Sequence, residues 1–221
     1  IEIARKNYLH LFMNFQKNRE MMIENQLRPN KITNNKILQA FNKTNKEHFI
    51  SKDNVNICYS DQDILITENR GYLKNLHMAQ IINFADIQEH EKVLHIGGLT
   101  GYLSVLISKL CYKIYVTDSR DDLIDDTNKN FRENNIHNAH VFKKTLSEGL
   151  IEKQPFDLII IDCPQYNFNL DLLKQTNVGG RIIYIEKINE QLSRAYRITK
   201  FENNHSKDYL FDVFSSFYYT K

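Results

Sequence analysis

Apolar residues along this chain fall into two regimes. Phe15, Met22, Ile23 and Leu27 share one face of an amphipathic helix over residues 14–27, which Pro29 stops. Thr33 and Asn34 are good N-cap types, and they precede a second helix carrying Ile37, Leu38 and Phe41 on one face. Residues 46–75 hold no sustained period. From Leu76 onward short apolar runs alternate with helical stretches. The pattern predicts a helix over Leu76–Ala85, strand Lys92–Ile96, helix Tyr102–Leu110, strand Lys113–Thr117 and helix Asp121–Asn134. It continues with strand Ala139–Phe142, a short helix near Ser147, strand Asp157–Ile161, a helix around Leu170–Gln175 and strand Arg181–Ile185. The tail, Ala195–Thr199 and Tyr209–Tyr219, is β-rich and predicts an antiparallel hairpin on the sheet edge.

Strands of about five residues alternating with helices predict a single α/β domain, a Rossmann-like, doubly wound sheet that is mostly parallel. We expect seven strands, with helices on both faces. Along the chain, residues 1–12 read as an N-terminal extension ahead of Met13, residues 13–75 as a helical cap with a substrate-side loop, and residues 76–221 as the sheet domain with its C-terminal hairpin.

The glycines sharpen the picture because they are scarce. Of seven in the chain, Gly97, Gly98 and Gly101 fall within five residues, directly after the first predicted strand of the sheet. The run Val93-Leu94-His95-Ile96-Gly97-Gly98-Leu99-Thr100-Gly101-Tyr102 reads as strand, tight turn and helix start, which brings backbone N–H groups near a ligand. Asp118 ends the next strand, roughly 20 residues on, where a carboxylate accepts both ribose hydroxyls of an adenosine. The plainer reading is a glycine turn that packs helix on strand, with Asp118 capping the helix that begins at Asp121.

With these residues in place, the sequence resembles the protein-L-isoaspartate O-methyltransferases. The resemblance rests on Met21-Met22-Ile23-Glu24-Asn25-Gln26-Leu27-Arg28-Pro29, on Thr33 to Phe49, on Tyr59-Ser60-Asp61, and on Val93 to Tyr102. It extends to Phe156-Asp157-Leu158-Ile159-Ile160 and Gly179-Gly180-Arg181-Ile182-Ile183, in order and at matching spacing. It implies a class I S-adenosylmethionine-dependent methyltransferase fold, S-adenosyl-L-methionine as cofactor, and a protein or peptide carrying isoaspartate as partner. The implied cofactor residues are His95, Gly97, Gly98, Leu99, Gly101, Asp118, Ser119 and Asp162. Lys74 stands at the family's catalytic Ser/Thr position.

Four departures from the family pattern bear on chemistry. His95 replaces the strand-one acid, and an imidazole is a poor substitute for a carboxylate facing an ammonium group. Leu99 replaces a glycine of the turn, and its side chain obstructs close backbone approach. Lys143-Lys144-Thr145 stands where the family has an acid between glycines, and Lys74 is an ammonium where the family has a compact hydroxyl. Three readings follow: a protein carboxyl methyltransferase, a methyltransferase-like pseudoenzyme acting as a binding module, or a transferase for another acceptor using Asp162 and Tyr166 of Asp162-Cys163-Pro164-Gln165-Tyr166.

Composition adds exclusions. Twenty-nine basic and 27 acidic residues leave a net charge of +2, so no strong field favours nucleic acid or an anionic membrane. No apolar run approaches the ~20 residues needed to span a bilayer. Three scattered cysteines, Cys58, Cys111 and Cys163, lack ligand spacing and suit a reduced, cytoplasmic protein. The eight histidines form no paired metal motif, and no metal is expected.

Overall fold

The computed structural model describes residues 15–219, so the expected extension over residues 1–12 lies outside the described residues. Residues 15–22 are helical and pass into a π-helical turn (Ile23–Leu27) and a 3-10 turn (Arg28–Asn30). Pro29 lacks an N–H and sits in that last turn, which Lys31 closes at φ 66°. Helix α1 (Asn35–Asn42) starts where the Asn34 side chain accepts from the Lys36 backbone N–H at 2.9 Å. Residues 46–74 are mostly irregular, with two short 3-10 turns (Lys46–Phe49 and Val55–Ile57) and one small hairpin of β1 (Ile64–Leu65) and β2 (Gly71–Tyr72).

The regular part follows: α2 (Asn75–Ala85), β3 (Lys92–Ile96), α3 (Tyr102–Ser108), β4 (Lys113–Asp118), α4 (Asp121–Glu133) and β5 (Ala139–Lys143). It ends with β6 (Phe156–Gln165), β7 (Thr176–Lys187), β8 (Leu192–Lys200) and β9 (His205–Phe214). Seven strands form one sheet in the order β5-β4-β3-β6-β7-β8-β9, in which the β7–β8 and β8–β9 pairings are antiparallel and the others parallel. The expected α/β class and terminal hairpin are therefore the observed ones.

The central strands are buried on both faces, as parallel strands under two layers must be. Val93, Leu158 and Ile160 join a core with Leu27, Phe41, Ile81 and Leu103. Leu94, Ile96, Ile159 and Ile161 join a second core with Leu146, Leu172 and Tyr184. The register sets Ile96 beside both Thr117 and Ile161, so the C-terminal ends of β3, β4 and β6 meet at one edge.

Two expectations are revised. The helices expected near Ser147 and over Leu170–Gln175 are 3-10 turns, Ile151–Lys153 and Leu170–Gln175. The Gln175 amide bridges this corner, accepting from Leu150 N–H and donating to the Glu148 carbonyl, contacts that replace a helical ladder. The tail expected to be strand through Tyr219 leaves the sheet after Phe214, because Ser215 turns to receive a hydrogen bond from Lys187 Nζ at 2.6 Å.

One buried cation shapes the pH response. Lys46 has no exposed surface, donates to Asn75 Oδ1 at 2.8 Å, and lies 5.8 and 5.4 Å over the rings of Tyr72 and Tyr102. Burial pulls its amine down from 10.5 to about 7, while burial pushes the thiols of Cys58, Cys111 and Cys163 up from 9.0 to about 12. Above pH 7 the unfolded chain holds a proton on Lys46 that the folded chain has lost, so stability rises with pH. The slope is up to about 1.4 kcal/mol per pH unit for one proton. Above pH 9 the sign reverses, since the unfolded chain then loses thiol protons that the folded chain keeps. Urea titrations in reductant should therefore show stability climbing from pH 7 and turning over near pH 9. Lys46→Met should flatten the climb, and an unchanged climb would contradict this assignment.

Candidate functional site

The glycine turn sits at the meeting edge of β3, β4 and β6. Gly97 and Gly98 both donate to the Thr117 carbonyl, at 2.8 and 3.2 Å, and Gly101 at φ +94° opens α3. A Cβ on Gly98 would stand 2.3 Å from Val116 Cγ1, so the turn lies directly on β4. Leu99 is 2% exposed and holds φ 52°, a left-handed conformation disfavoured for a branched side chain. It is held there by both peptide groups: its N–H donates to Asp118 Oδ2 at 3.2 Å and its carbonyl accepts from Thr127 Oγ1 at 2.8 Å.

Asp118 is buried, and its carboxylate is fully engaged. Arg70 approaches it end-on through both Nη groups, with Nη2–Oδ2 at 2.7 Å and Nη1–Oδ1 at 3.2 Å. Oδ1 also accepts from the N–H groups of Ser119 (2.8 Å) and Arg120 (3.3 Å). Arg70 Nη2 lies 3.3 Å from where a Cβ on Gly97 would stand. The guanidinium therefore fills the space between the glycine turn and the strand-end acid.

The β1–β2 hairpin delivers Arg70. The Arg70 carbonyl accepts from Ile66 and Thr67 N–H, and the Arg70 N–H donates to Thr67 Oγ1, which fixes the turn just before β2. Next door, the Tyr72 hydroxyl donates to Thr100 Oγ1 at 2.7 Å and accepts from Tyr102 N–H at 2.9 Å. Thr100 also donates to the Phe49 carbonyl at 2.7 Å. Hairpin and glycine turn are locked together.

His95 bridges inward. Nδ1 lies 2.7 Å from Ser104 Oγ and Nε2 lies 3.2 Å from Asp162 Oδ1. The residue types resemble a nucleophile relay, but Ser104 has no exposed surface and lies under Gly98. No substrate reaches it, and the chain of bonds is a structural link between β3, α3 and β6. Asp162 is thereby turned to His95, while Tyr166, beyond the strand end, is 48% exposed and pairs with the Tyr218 ring. Ser119 is exposed at the start of the β4–α4 connection.

Lys74 lies immediately before α2, four residues beyond Arg70. Its N–H donates to Asp63 Oδ1 at 2.8 Å, and its ammonium lies 3.6 Å from Asp61 Oδ1. Lys144 pairs with Glu152 at 3.1 Å within the β5–β6 connection, and its N–H donates to the Asp118 carbonyl at 3.0 Å.

The sequence profile of the Protein-L-isoaspartate(D-aspartate) O-methyltransferase (PCMT) family matches residues 16–214. The chain belongs to that family. The protein-L-isoaspartate O-methyltransferase of Petrotoga mobilis is 26% identical over 196 residues, 88% of this chain and 92% of that protein. The Brucella anthropi protein of the same name is 28% identical over 170 residues, 77% of this chain and 78% of its own length. Among solved structures, a protein-L-isoaspartate O-methyltransferase superposes with a TM-score of 0.79 at 19% identity, over 92% of this chain and 66% of that one. A Plasmodium falciparum structure in complex with S-adenosyl-L-homocysteine superposes with a TM-score of 0.75 at 18% identity, over 91% of this chain and 97% of its own. The fold is thus that of the class I S-adenosylmethionine-dependent methyltransferases.

S-adenosylmethionine is the cofactor of this family, and in this structure the residues at its site are engaged with one another. A bound adenosine needs the strand-end acid free for its ribose hydroxyls, and here Arg70 and three backbone N–H groups consume Asp118. The methionine end needs an acceptor at the end of β3, and here His95 is tied to Ser104 and Asp162. Gly97, Gly98, Leu99, Gly101 and Asp118 are brought together as the sequence suggested, but around an internal side chain. Arg70 is the residue at this site that sequence reasoning missed. It lies 48 positions before its partner, in a stretch without periodicity, and no spacing rule connects the two.

Proposed function

We propose that this chain keeps the protein-facing surface of its family and does not transfer methyl groups. One observation carries the reading: the Arg70 guanidinium occupies the place of a ribose between Gly97 and Asp118. What remains accessible is Lys74, whose ammonium is 3.6 Å from a half-exposed Asp61 and can exchange that partner for a carboxylate of an incoming peptide. The proposed ligand is accordingly a protein segment presenting an acid, isoaspartate included.

Family membership across residues 16–214 favours a second reading, methyl transfer from S-adenosylmethionine to an isoaspartyl carboxylate. That reading requires Arg70 to leave Asp118. Acceptance by Asp162 gains no support, because its carboxylate already holds His95. Incubation with an isoaspartyl peptide and a methyl-labelled donor separates the two readings. We expect no label on the peptide and retention of the peptide by the protein. Turnover into labelled peptide would overturn the proposal in favour of the second reading.

A further inference from the structure

Residues 215–219 leave β9 and cross the edge where the glycine turn, Arg70 and Asp162 meet. Lys187, itself buried, pins the start of this segment through the Ser215 carbonyl at 2.6 Å. Phe217, 5% exposed, lies against Gly71, where a Cβ would stand 2.7 Å from its ring and 2.1 Å from the Ile64 carbonyl oxygen. Tyr218 N–H donates to the Asn69 carbonyl at 3.1 Å, and Tyr219 N–H donates to the Pro164 carbonyl at 2.7 Å. Tyr219 also forms an isolated parallel bridge with Gln165. In effect the segment ties the residue before Arg70 to the strand end two residues beyond Asp162.

This closure is tight but not fully satisfied. Arg70 Nε and Gln165 Nε2 are buried without a hydrogen-bond partner among the described atoms. These two donors belong to the two elements that the segment joins, and each gains water if the segment lifts. A settled core leaves few such groups. Such atoms also occur elsewhere among the described residues, at Tyr102 and Thr117 for example, so what singles out this seam is its ties: two backbone hydrogen bonds and the Phe217 ring hold the segment to the Arg70 hairpin and the end of β6, and lifting the segment breaks them together.

We propose that residues 215–219 are an autoinhibitory strap: they hold the Arg70 hairpin against Asp118, and their displacement opens that edge to a nucleoside-class ligand. The inference rests on the reading that Arg70 stands in the ribose place. It adds that the occupancy is conditional. Phe217 supplies the apolar anchor, Tyr218 and Tyr219 the two backbone ties, and Gly71 the bare surface that lets the ring close.

The test compares the full chain with Phe217→Ala/Tyr219→Pro, which removes the anchor and the N–H to Pro164, and with a chain ending at Ser215. Cys163, 8% exposed and beside Arg70, reports on the seam, while Cys58 and Cys111 serve as internal references. Maleimide labelling mapped by peptide mass spectrometry should show Cys163 reacting at least ~10-fold faster in both variants, with the two references unchanged. S-adenosylhomocysteine, used as the probe, should then bind the variants at least ~10-fold more tightly than the full chain. Unchanged Cys163 labelling, or equal acceleration at all three cysteines, would overturn the strap. Faster Cys163 labelling without probe binding would overturn its role in gating a ligand. Tight probe binding by the unaltered chain would instead defeat the proposed function, so the two failures are distinct.

Discussion

Arg70→Met should lower the unfolding free energy by about 3 kcal/mol, the lower end for breaking a buried ion pair from one side. The pair has side chains only 6% and 2% exposed, so the carboxylate left behind is not simply rehydrated. The loss stays at the lower end because Leu99, Ser119 and Arg120 still donate to Asp118. Arg70→Met combined with Asp118→Asn should recover most of the loss, a coupling of about 2 kcal/mol. Urea unfolding reads this as a shift in midpoint at constant slope. Additive losses under about 1 kcal/mol each would place the pair in the class of solvated surface bridges, and the Asp118 carboxylate would then be free to accept from a ligand.

The reason for weighting this pair is not that it makes the fold stable. A buried ion pair roughly balances its own desolvation, and an apolar replacement of similar volume is often as stable. Its significance is positional. Two N–H vectors of a planar guanidinium match two carboxylate oxygens, which is the geometry a vicinal diol would otherwise use. Internal partner and external ligand compete for the same lone pairs.

Much of the fold was legible because its signals are local. Val93–Ile96 and Leu158–Ile161 are apolar runs of strand length, and each strand lies where its run predicted it. The glycine turn was legible too, since three of only seven glycines cluster directly after an apolar run of strand length. Asp118 at the end of β4 followed from strand length alone. What the sequence could not convey are pairings between distant, aperiodic segments. Arg70 with Asp118 spans 48 residues and His95 with Asp162 spans 67. The burial of Lys46 was equally hidden, because an ammonium enclosed by Asn75, Tyr72 and Tyr102 has no one-dimensional signature.

These pairings also change how the substitutions are understood. Read along the chain, His95 and Leu99 look like damage that a glutamate and a glycine would repair. In the structure, an acid at position 95 would face Asp162 across the space His95 now bridges, and like charges there oppose each other. Leu99 reaches Asp118 through its backbone N–H, which a glycine would supply equally, and what its side chain adds is apolar burial in the turn. The substitutions belong with Arg70 to one closed arrangement.

The most direct test of that arrangement is calorimetric titration of the full chain with S-adenosylhomocysteine. An open site of this fold with a free strand-end acid should bind it at about micromolar concentration, near −8 kcal/mol. With Asp118 held by Arg70, we expect no binding heat up to about 1 mM, a weakening of roughly 10³-fold or more. Saturable binding in the low micromolar range, roughly the −8 kcal/mol of an open site, would contradict the account, because it would mean that the guanidinium leaves Asp118 at little cost.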